Sequence, residues 1–449
     1  MRNRLLFLYN SLFSFVTIIY KYLHILHYYL SMCVKLVNLK SIDFKLTSFI
    51  FAPSNYCCYI CLDIKNYTME APFVYGRIAD DLNFTDRKNE VALLTQNFKN
   101  LINTVIISPR RWGKTSLVNK CAKLLSEENK NTLVCQVDIF NCRTEEQFYT
   151  AYANALMRVS TSAWEEFVAG VKKYLSRMAP TVSLSEGSQS YELSFGIGFK
   201  DNRLSYDEIL DLPQQIAKDK GKKIIVCIDE FQNINEYEDS LAFQRKLRAH
   251  WQTHTSVCYC LYGSKRHMLL SIFNDYSMPF YKFGDILFLQ KIERKDWVAF
   301  ISQRFADTGK QISDELSGMI ADKMKNHPYY TQQLSQQTWL RTSKECSEAI
   351  VNEAFNSLIG QLSLLFTNII DSLTSRQISF LIAVADGVVN FSSKDILKHY
   401  QLGTSANIKN LKKATLEKDL IDILPGNTIE IQDPAFEYWL KNVYQNPAR

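Results

Sequence analysis

Residues 108–116, SPRRWGKTS, have the residue types that bind a phosphate group. Gly113, Lys114 and Thr115 fill the last three positions of the pattern G-x-x-x-x-G-K-[ST]. In that pattern backbone N–H groups cradle phosphate oxygens, the lysine lies along them, and the hydroxyl binds Mg²⁺. Ser108 stands where the pattern has its first glycine. The spacing therefore predicts a phosphate-binding loop with one departure from the pattern.

The stretches on either side of this loop supply the strand and the helix that such a site requires. Residues 104–108 are a short apolar run rich in β-branched side chains. Residues 114–125 repeat apolar positions at helical spacing through Leu117, Cys121 and Leu124. A helix that begins at the loop directs its N–H groups and partial positive charge at a bound phosphate. The context therefore favours a working loop over a chance match.

Ser108 falls at the end of the predicted strand. A small residue can leave a strand there if its φ angle stays negative, and Pro109 then fixes φ at about −65° and stiffens the loop. Gly113 remains at the position where the backbone must approach a phosphate closely. We therefore expect the loop to bind nucleotide, while Ser108 leaves the rate of hydrolysis open.

Two adjacent acids end the apolar run IIVCIDE at residues 224–230. A buried strand of this kind places Asp229 at its carboxyl end, where open α/β sheets bind ligands. We expect Asp229 and Thr115 to hold Mg²⁺, and Glu230 to orient and deprotonate the water that attacks a γ-phosphate. The alternative is a pair of solvated acids at a strand end.

The order of elements predicts three domains after Met69. Short apolar runs separated by helices predict a parallel sheet covered on both faces, which gives an α/β P-loop core at residues 69–290. Only helical periodicity follows at residues 291–371, which predicts an all-α lid. Residues 372–449 contain three helices and then two short strands, the order of a winged helix.

The first 68 residues differ in composition from the rest of the chain. They contain no Gly, Glu, Gln or Trp and fourteen Phe or Tyr, and they carry seven Lys or Arg against two Asp. A folded segment without glycine would have difficulty forming turns. We therefore expect Met69 to be the true start and residues 1–68 not to be native. The alternative is a membrane-associated segment, although its apolar residues 5–20 are too few to span a bilayer.

Cysteine usage favours a reducing compartment. The chain has eleven cysteines, an odd number, and the C-x-x-C pair of Cys58 and Cys61 has no second pair at ligand spacing. Cys121, Cys227 and Cys260 lie in apolar stretches, where a thiol acts as a small hydrophobic residue. We therefore expect a cytoplasmic protein and disfavour a membrane location.

Five stretches in one order resemble the archaeal-type ATPase family, P-loop ATPases of the AAA+/STAND kind that are found in archaea and bacteria. They are FTDRKNE at residues 84–90, PRRWGKTSL at 109–117, DEFQ at 229–232, YGSK at 262–265 and DPAFEYWL at 433–440. Each stretch is a loose signal alone. The five together are specific, and the likeness extends from about Val74 to Trp439.

The resemblance implies ATP and Mg²⁺ as cofactors. Nucleotide contacts would come from Ser108, Pro109, Arg110, Arg111, Trp112, Gly113, Lys114, Thr115, Ser116 and Pro328. Catalysis would involve Glu230, Lys114 and Ser264, of which Ser264 would sense the γ-phosphate. Thr115 and Asp229 would bind the metal ion.

Further assignments follow from the resemblance. The segment before Asp86 would line the adenine pocket. His327-Pro328 would act as the lid motif that touches the base, although Asn326 stands where glycine is usual. The alternative for this proline is its commoner role of starting a helix. An arginine finger cannot be chosen from the sequence, in which Arg248 and Arg266 are the candidates.

The third helix of the predicted winged helix is basic. Residues 405–418 place Lys409, Lys412 and Lys413 mostly outward, and a basic helix with asparagines suits phosphate and base-edge contacts in a major groove. Glu417 lies on the same helix, and winged helices also serve as protein docking modules. DNA, an unknown protein client and a second copy of the chain therefore all stay open as partners.

The sequence thus predicts an ATPase in which ATP binding and hydrolysis move the lid and the winged helix. One alternative is a slow STAND-like switch, which would show slow turnover and nucleotide-dependent assembly. Another is a DNA-binding regulator with a structural nucleotide site, which would show salt-dependent duplex binding. Glu230 beside Asp229 favours the first two over the third.

Overall fold

A computed structural model describes residues 71–79, 83–160, 169, 170, 173, 181–184, 191–194 and 203–445. The predictions for residues 1–68, including the Cys58 and Cys61 pair, lie outside these residues.

A parallel sheet forms the centre of the described structure. Its strand order is β2-β5-β6-β1-β7, and every neighbouring pair is parallel. The strands are β1 (Thr104–Ile107), β2 (Thr132–Asp138), β5 (Lys223–Asp229), β6 (Val257–Gly263) and β7 (Asp285–Phe288). β1 and β6 are buried along their whole length, as expected of strands covered on both faces. The predicted α/β fold class is confirmed.

The register of this sheet brings three chain segments together. β6 lies between β1 and β5, and it pairs Gly263 with Ile107 and Leu261 with Ile228. Because parallel strands end at the same edge, the loop after β1, Asp229 at the end of β5 and Ser264 after β6 lie side by side.

Helices cover both faces of the sheet. They are α1 (Lys88–Lys99), α2 (Lys114–Glu128), α3 (Glu145–Ser160), α4 (Arg203–Lys220), α5 (Ser240–Trp251) and α6 (Arg266–Phe273). α1 and α2 bury Leu94 and Leu117 on one face. The other face buries an aromatic cluster that includes Tyr152, Trp251 and Tyr259. A separate antiparallel pair is formed by β3 (Thr181–Leu184) and β4 (Tyr191–Ser194).

The chain after the sheet is mainly helical. The predicted lid contains α7 (Arg294–Asp307), α8 (Asp314–Lys323), α9 (Pro328–Arg341) and α10 (Glu348–Asp371). The winged helix contains α11 (Ser375–Ala385), α12 (Lys394–His399), α13 (Ser405–Glu417), β8 (Ile421–Ile423), β9 (Ile429–Ile431) and α14 (Pro434–Trp439). Hydroxyl side chains cap the first turns of α8, α10, α11 and α12, which explains where these helices begin.

The lid and the winged helix share one apolar core. Trp297 and Leu358 of the lid belong to the same buried cluster as Phe436 and Trp439 of the winged helix. α10 is long and apolar enough to cross a membrane by length and composition, but its residues Val351, Leu358 and Phe366 are buried in this cluster. We call α7–α14 the C-terminal lobe.

Candidate active site

The predicted phosphate loop connects β1 to α2. Its left-handed residues are Arg111, with φ of 62°, and Gly113, with φ of 90°. Ser108 is buried, 1% exposed, and it keeps a negative φ. Serine can therefore adopt the backbone conformation that this position requires. The residue with a strained, left-handed backbone is Arg111.

Lys114 is buried at the centre of this loop. Its Nζ atom donates hydrogen bonds to the backbone oxygens of Ser108 at 3.2 Å and Pro109 at 2.8 Å. Burial lowers the pKa of Lys114 to about 8, while the carboxylates of Glu230 and Asp229 oppose the change. The loop thus holds an ammonium group for which phosphate oxygens would be stronger acceptors than the two carbonyl oxygens.

Thr115 and Asp229 meet across the edge of the sheet. The Thr115 hydroxyl donates to Asp229 Oδ2 at 3.0 Å, and Asp229 Oδ1 accepts the backbone N–H of Glu230 at 2.8 Å. Burial, and then the Glu230 carboxylate, raise the pKa of Asp229 to about 6. In the described part of the chain, no group of three or more His, Cys, Asp or Glu could hold a metal ion. A hydroxyl and a single carboxylate fit Mg²⁺ that is bound together with substrate phosphates.

Glu230 follows β5 in a left-handed conformation, with φ of 55°. Its Oε2 atom accepts the backbone N–H of Ser264 at 3.2 Å and the Ser264 hydroxyl at 2.8 Å. The side-chain amide of Gln232 donates to the same oxygen. Glu230 is therefore held by the segments that follow β5 and β6.

A cavity of about 520 Å³ begins at these residues, a size typical of small-molecule sites. Its lining includes Arg110, Arg111, Trp112, Gly113, Lys114, Thr115, Ser116, Asp229, Glu230, Ser264 and Pro328. Its lining also includes residues 74–79 and 83–85, Trp297 of α7 and Tyr329 of α9. The sequence places its predicted adenine pocket before Asp86, and those residues line the cavity.

Two predicted nucleotide contacts are not part of this lining. Ser108 and Pro109 are the first two residues of the loop. Their backbone oxygens accept hydrogen bonds from the Lys114 ammonium group. Pro328 occupies the first turn of α9, and it also lines the cavity. His327 before it is buried, and burial lowers its pKa to about 3.

Sequence reasoning missed Gln332, which connects the lid to the start of the described chain. Its Oε1 atom accepts the Val74 N–H at 3.3 Å, and its Nε2 atom donates to the Asn83 oxygen at 3.2 Å. Gln332 lies one turn after Pro328 on α9, so helical spacing was the available signal. Its contacts hold Val74 and Asn83, which both line the cavity, against the lid.

Arg87 connects the phosphate loop to the segment that follows β7. It is 4% exposed, and its Nη1 atom donates to the Gln290 oxygen at 2.6 Å and to Glu90 Oε1 at 2.9 Å. Its Nη2 atom donates to the Trp112 oxygen at 3.4 Å. In the sequence, Asp86 marks only the end of the predicted adenine-pocket segment, and nothing there indicates that Arg87 contacts the loop.

The two arginine-finger candidates are both engaged within the chain. Arg248 lies over the Phe283 ring at 4.9 Å. Arg266 forms an ion pair of 2.8 Å with Asp422 on β8 of the winged helix.

The predicted DNA-contact lysines of α13 have different surroundings. Lys409 is exposed. Lys412 is half-buried over the Phe391 ring at 5.6 Å, and Lys413 lies 3.8 Å from Glu417. Lys412 is therefore less exposed than Lys409, because its ammonium group lies over an aromatic ring.

The fold and the site define a P-loop ATPase of the AAA-like class that carries a C-terminal winged helix. Residues 77–259 match the family described as predicted AAA-ATPase, and residues 364–442 match the family described as probable winged helix domain. No curated protein matches the chain. The resemblance to P-loop ATPases of the AAA kind is thus confirmed, and the chain is an ATP-binding ATPase.

Two solved structures with the same fold are of proteins from archaea. A Walker-type ATPase of Pyrococcus abyssi has a TM-score of 0.56 at 16% identity, covering 80% of this chain and 97% of that one. The ORC2 protein of Aeropyrum pernix in its ADPNP-ADP complexes has a TM-score of 0.53 at 14% identity, covering 83% and 98%. At these identities the similarity shows the fold alone.

The pKa values of Asp229 and Lys114 predict a bell-shaped pH dependence of kcat/KM for ATP. As pH falls through about 6, Asp229 gains a proton and loses the charge that a cation would require. As pH rises through about 8, Lys114 loses the proton that attracts phosphate. We expect a maximum between these values, because kcat/KM reports the free enzyme.

Steady-state assays across this range would measure the profile. The matched variant is Lys114→Arg, whose side chain stays protonated. If this variant is active, its kcat/KM should not fall as pH rises through about 8. A flat wild-type profile from acid to alkaline pH would contradict the assignment.

Proposed function

We propose that ATP binding and hydrolysis at this site control how the C-terminal lobe docks on the α/β core. The observation that carries the proposal is that residues beside the phosphate site contact the lobe directly. Arg111 of the loop reaches α9, and Arg266, two residues after Ser264, pairs with the winged helix.

Hydrolysis in this proposal is an in-line attack of water on the γ-phosphate. Lys114 exchanges its two carbonyl acceptors for phosphate oxygens, while Glu230 orients the water and takes its proton. Ser264 keeps Glu230 in place through two hydrogen bonds. Mg²⁺, held by Thr115 and Asp229, would neutralise charge on the phosphate oxygens.

Arg111 forms the first connection to the lobe. Its guanidinium carbon lies 4.5 Å from the centre of the Tyr329 ring, and its Nη1 atom lies 3.5 Å from the Tyr330 hydroxyl. Tyr330 donates its own hydrogen bond to Asp433, which also caps α14 by accepting the N–H groups of Ala435 and Phe436. A phosphate that attracts Arg111 would weaken its contacts to the two tyrosines, and through them its link to the winged helix.

Arg266 and Asp422 form the second connection. Their side chains are 16% and 10% exposed, so water screens this pair less than a surface pair. Lys291 and Glu430 are 3.4 Å apart and more exposed, and such pairs contribute little stability. We infer that the buried pair holds the winged helix on the core and that the exposed pair contributes little.

Phosphate release from ATP by the full chain tests the catalytic assignment. We expect turnover by the wild type and its loss in both Lys114→Ala and Glu230→Gln. Binding of a fluorescent ATP analogue should disappear in Lys114→Ala and persist in Glu230→Gln, because only the lysine contacts the nucleotide directly. Wild-type turnover no higher than that of Glu230→Gln would favour a slow STAND-like switch, and sedimentation would then reveal assembly of copies that depends on nucleotide.

Hydrogen exchange over β8 and β9 tests the docking proposal. We expect a non-hydrolysable ATP analogue to change exchange in these strands, since the buried pair ends on β8. Asp422→Asn should raise their exchange without nucleotide, because it removes the charge that pairs with Arg266. Glu430→Gln is the matched control and should have little effect. Hydrogen exchange in β8 and β9 that changes neither with nucleotide nor in Asp422→Asn would contradict the proposal.

DNA contact through α13 is a second candidate role for the winged helix. It is favoured because Lys409 and Asn410 stay exposed while the winged helix is docked. We expect duplex binding that weakens with salt and weakens further in a Lys409→Glu/Lys413→Glu variant, since each lost phosphate contact reduces the salt slope by about one. The double reversal Lys295→Glu/Lys344→Glu on the lid surface changes the net charge by the same amount and is the control. Binding that is equal in all three proteins would exclude α13 and favour a protein client.

A further inference from the structure

Gln232 lies in the 3₁₀ turn Phe231–Glu236 that follows Glu230. It is 1% exposed, and its amide nitrogen donates to Glu230 Oε2. Its own Oε1 atom is buried without a hydrogen-bond partner in the described structure. Burying an unpaired carbonyl oxygen is unfavourable, and an apolar side chain of the same size would avoid the cost. The glutamine is therefore not explained by stability alone.

Gly263, the last residue of β6, provides the space for this side chain. A Cβ atom added to Gly263 would lie 1.8 Å from Gln232 Oε1 and 2.9 Å from its Cδ. The φ angle of Gly263 is not in the left-handed region, so its backbone does not require glycine. What the position requires is room for the Gln232 amide beside Glu230.

The hydrogen bonds to Glu230 converge on one of its two carboxylate oxygens. Oε2 accepts from the Ser264 N–H, the Ser264 hydroxyl and the Gln232 amide. Within the described residues, Oε1 of Glu230 accepts from no side chain or backbone N–H. A carboxylate fixed through one oxygen points the other in a defined direction, which is the requirement for a base that must meet a water molecule.

We propose that Gln232 is a positioning residue for ATP hydrolysis, which fixes the Glu230 carboxylate through Oε2 and leaves Oε1 for the attacking water. The inference rests on the proposed role of Glu230 as the base. A neutral amide suits this task because it donates a hydrogen bond without supplying a proton or a competing charge. Ser264, which follows β6, provides the other donors, so the segments after β5 and β6 both hold this oxygen.

Gln232→Met tests the proposal because methionine keeps the volume and the burial but cannot donate a hydrogen bond. In the full chain we expect kcat to fall about tenfold, the order of one lost hydrogen bond to a charged group, with KM for ATP unchanged. The residual turnover of Glu230→Gln, measured with the protein in excess over ATP, should not fall further when the same substitution is added. Thermal unfolding should show that both variants remain folded.

Gln244→Met is the matched control. Gln244 is equally buried and also has an unpartnered Oε1 atom, but its amide donates to Asn235 at 2.8 Å and not to Glu230. We expect its kcat and KM to match the wild type. A similar loss of kcat in this control would mean that removing any buried amide of the core disturbs turnover, which would overturn the assignment.

The remaining outcomes separate this inference from the role of Glu230. An unchanged kcat in Gln232→Met, or an equal loss in both backgrounds, overturns the inference while Glu230 keeps its role. Wild-type turnover by Glu230→Gln overturns both. If Gln232→Met does not fold, Gly263→Ala displaces the amide without removing it, and it should lower kcat at unchanged KM. Unchanged kcat in that variant would also overturn the inference.

Discussion

The parallel register of β1, β6 and β5 is the constraint on which the site depends. It aligns three strand ends at one edge of the sheet, so a loop, a carboxylate pair and a serine that are far apart in sequence become neighbours. Burial then sets their electrostatics. The pKa of Lys114 falls and that of Asp229 rises, because each charge is removed from water before a substrate is present to compensate it.

Three of the non-glycine residues with left-handed backbone lie where the site is held in place. Arg87, Arg111 and Glu230 all have positive φ, and each is held by contacts from other elements. Arg87 bonds to the end of the sheet, Arg111 lies against two tyrosines, and Glu230 is fixed by Ser264 and Gln232. Unfavourable backbone of this kind persists only where the surroundings determine it, which is common at functional sites.

The sequence predicts the local parts of this structure well, because they depend on short spacings. Apolar runs and helical periodicity locate the strands that lead to Asp229 and Ser264, and the G-K-T spacing locates the loop. Contacts across long separations have no such signal. Nothing near Gln332 or Arg266 in the chain indicates that they meet Val74 and Asp422. The common core of lid and winged helix was likewise missed, since periodicity marks where helices begin and not which helices share a core.

That common core has a mechanical consequence. Trp297, Leu358 and Phe436 belong to one close-packed cluster, and such interiors deform little. A displacement imposed at Tyr329 and Tyr330 should therefore turn the whole lobe as a single lever about the short connection between β7 and α7. Points far from that pivot then travel farther than the groups at the phosphate. In the proposed function, a small movement at the nucleotide would become a large one at the distant end of the lobe, and ATP hydrolysis would thereby drive a stroke.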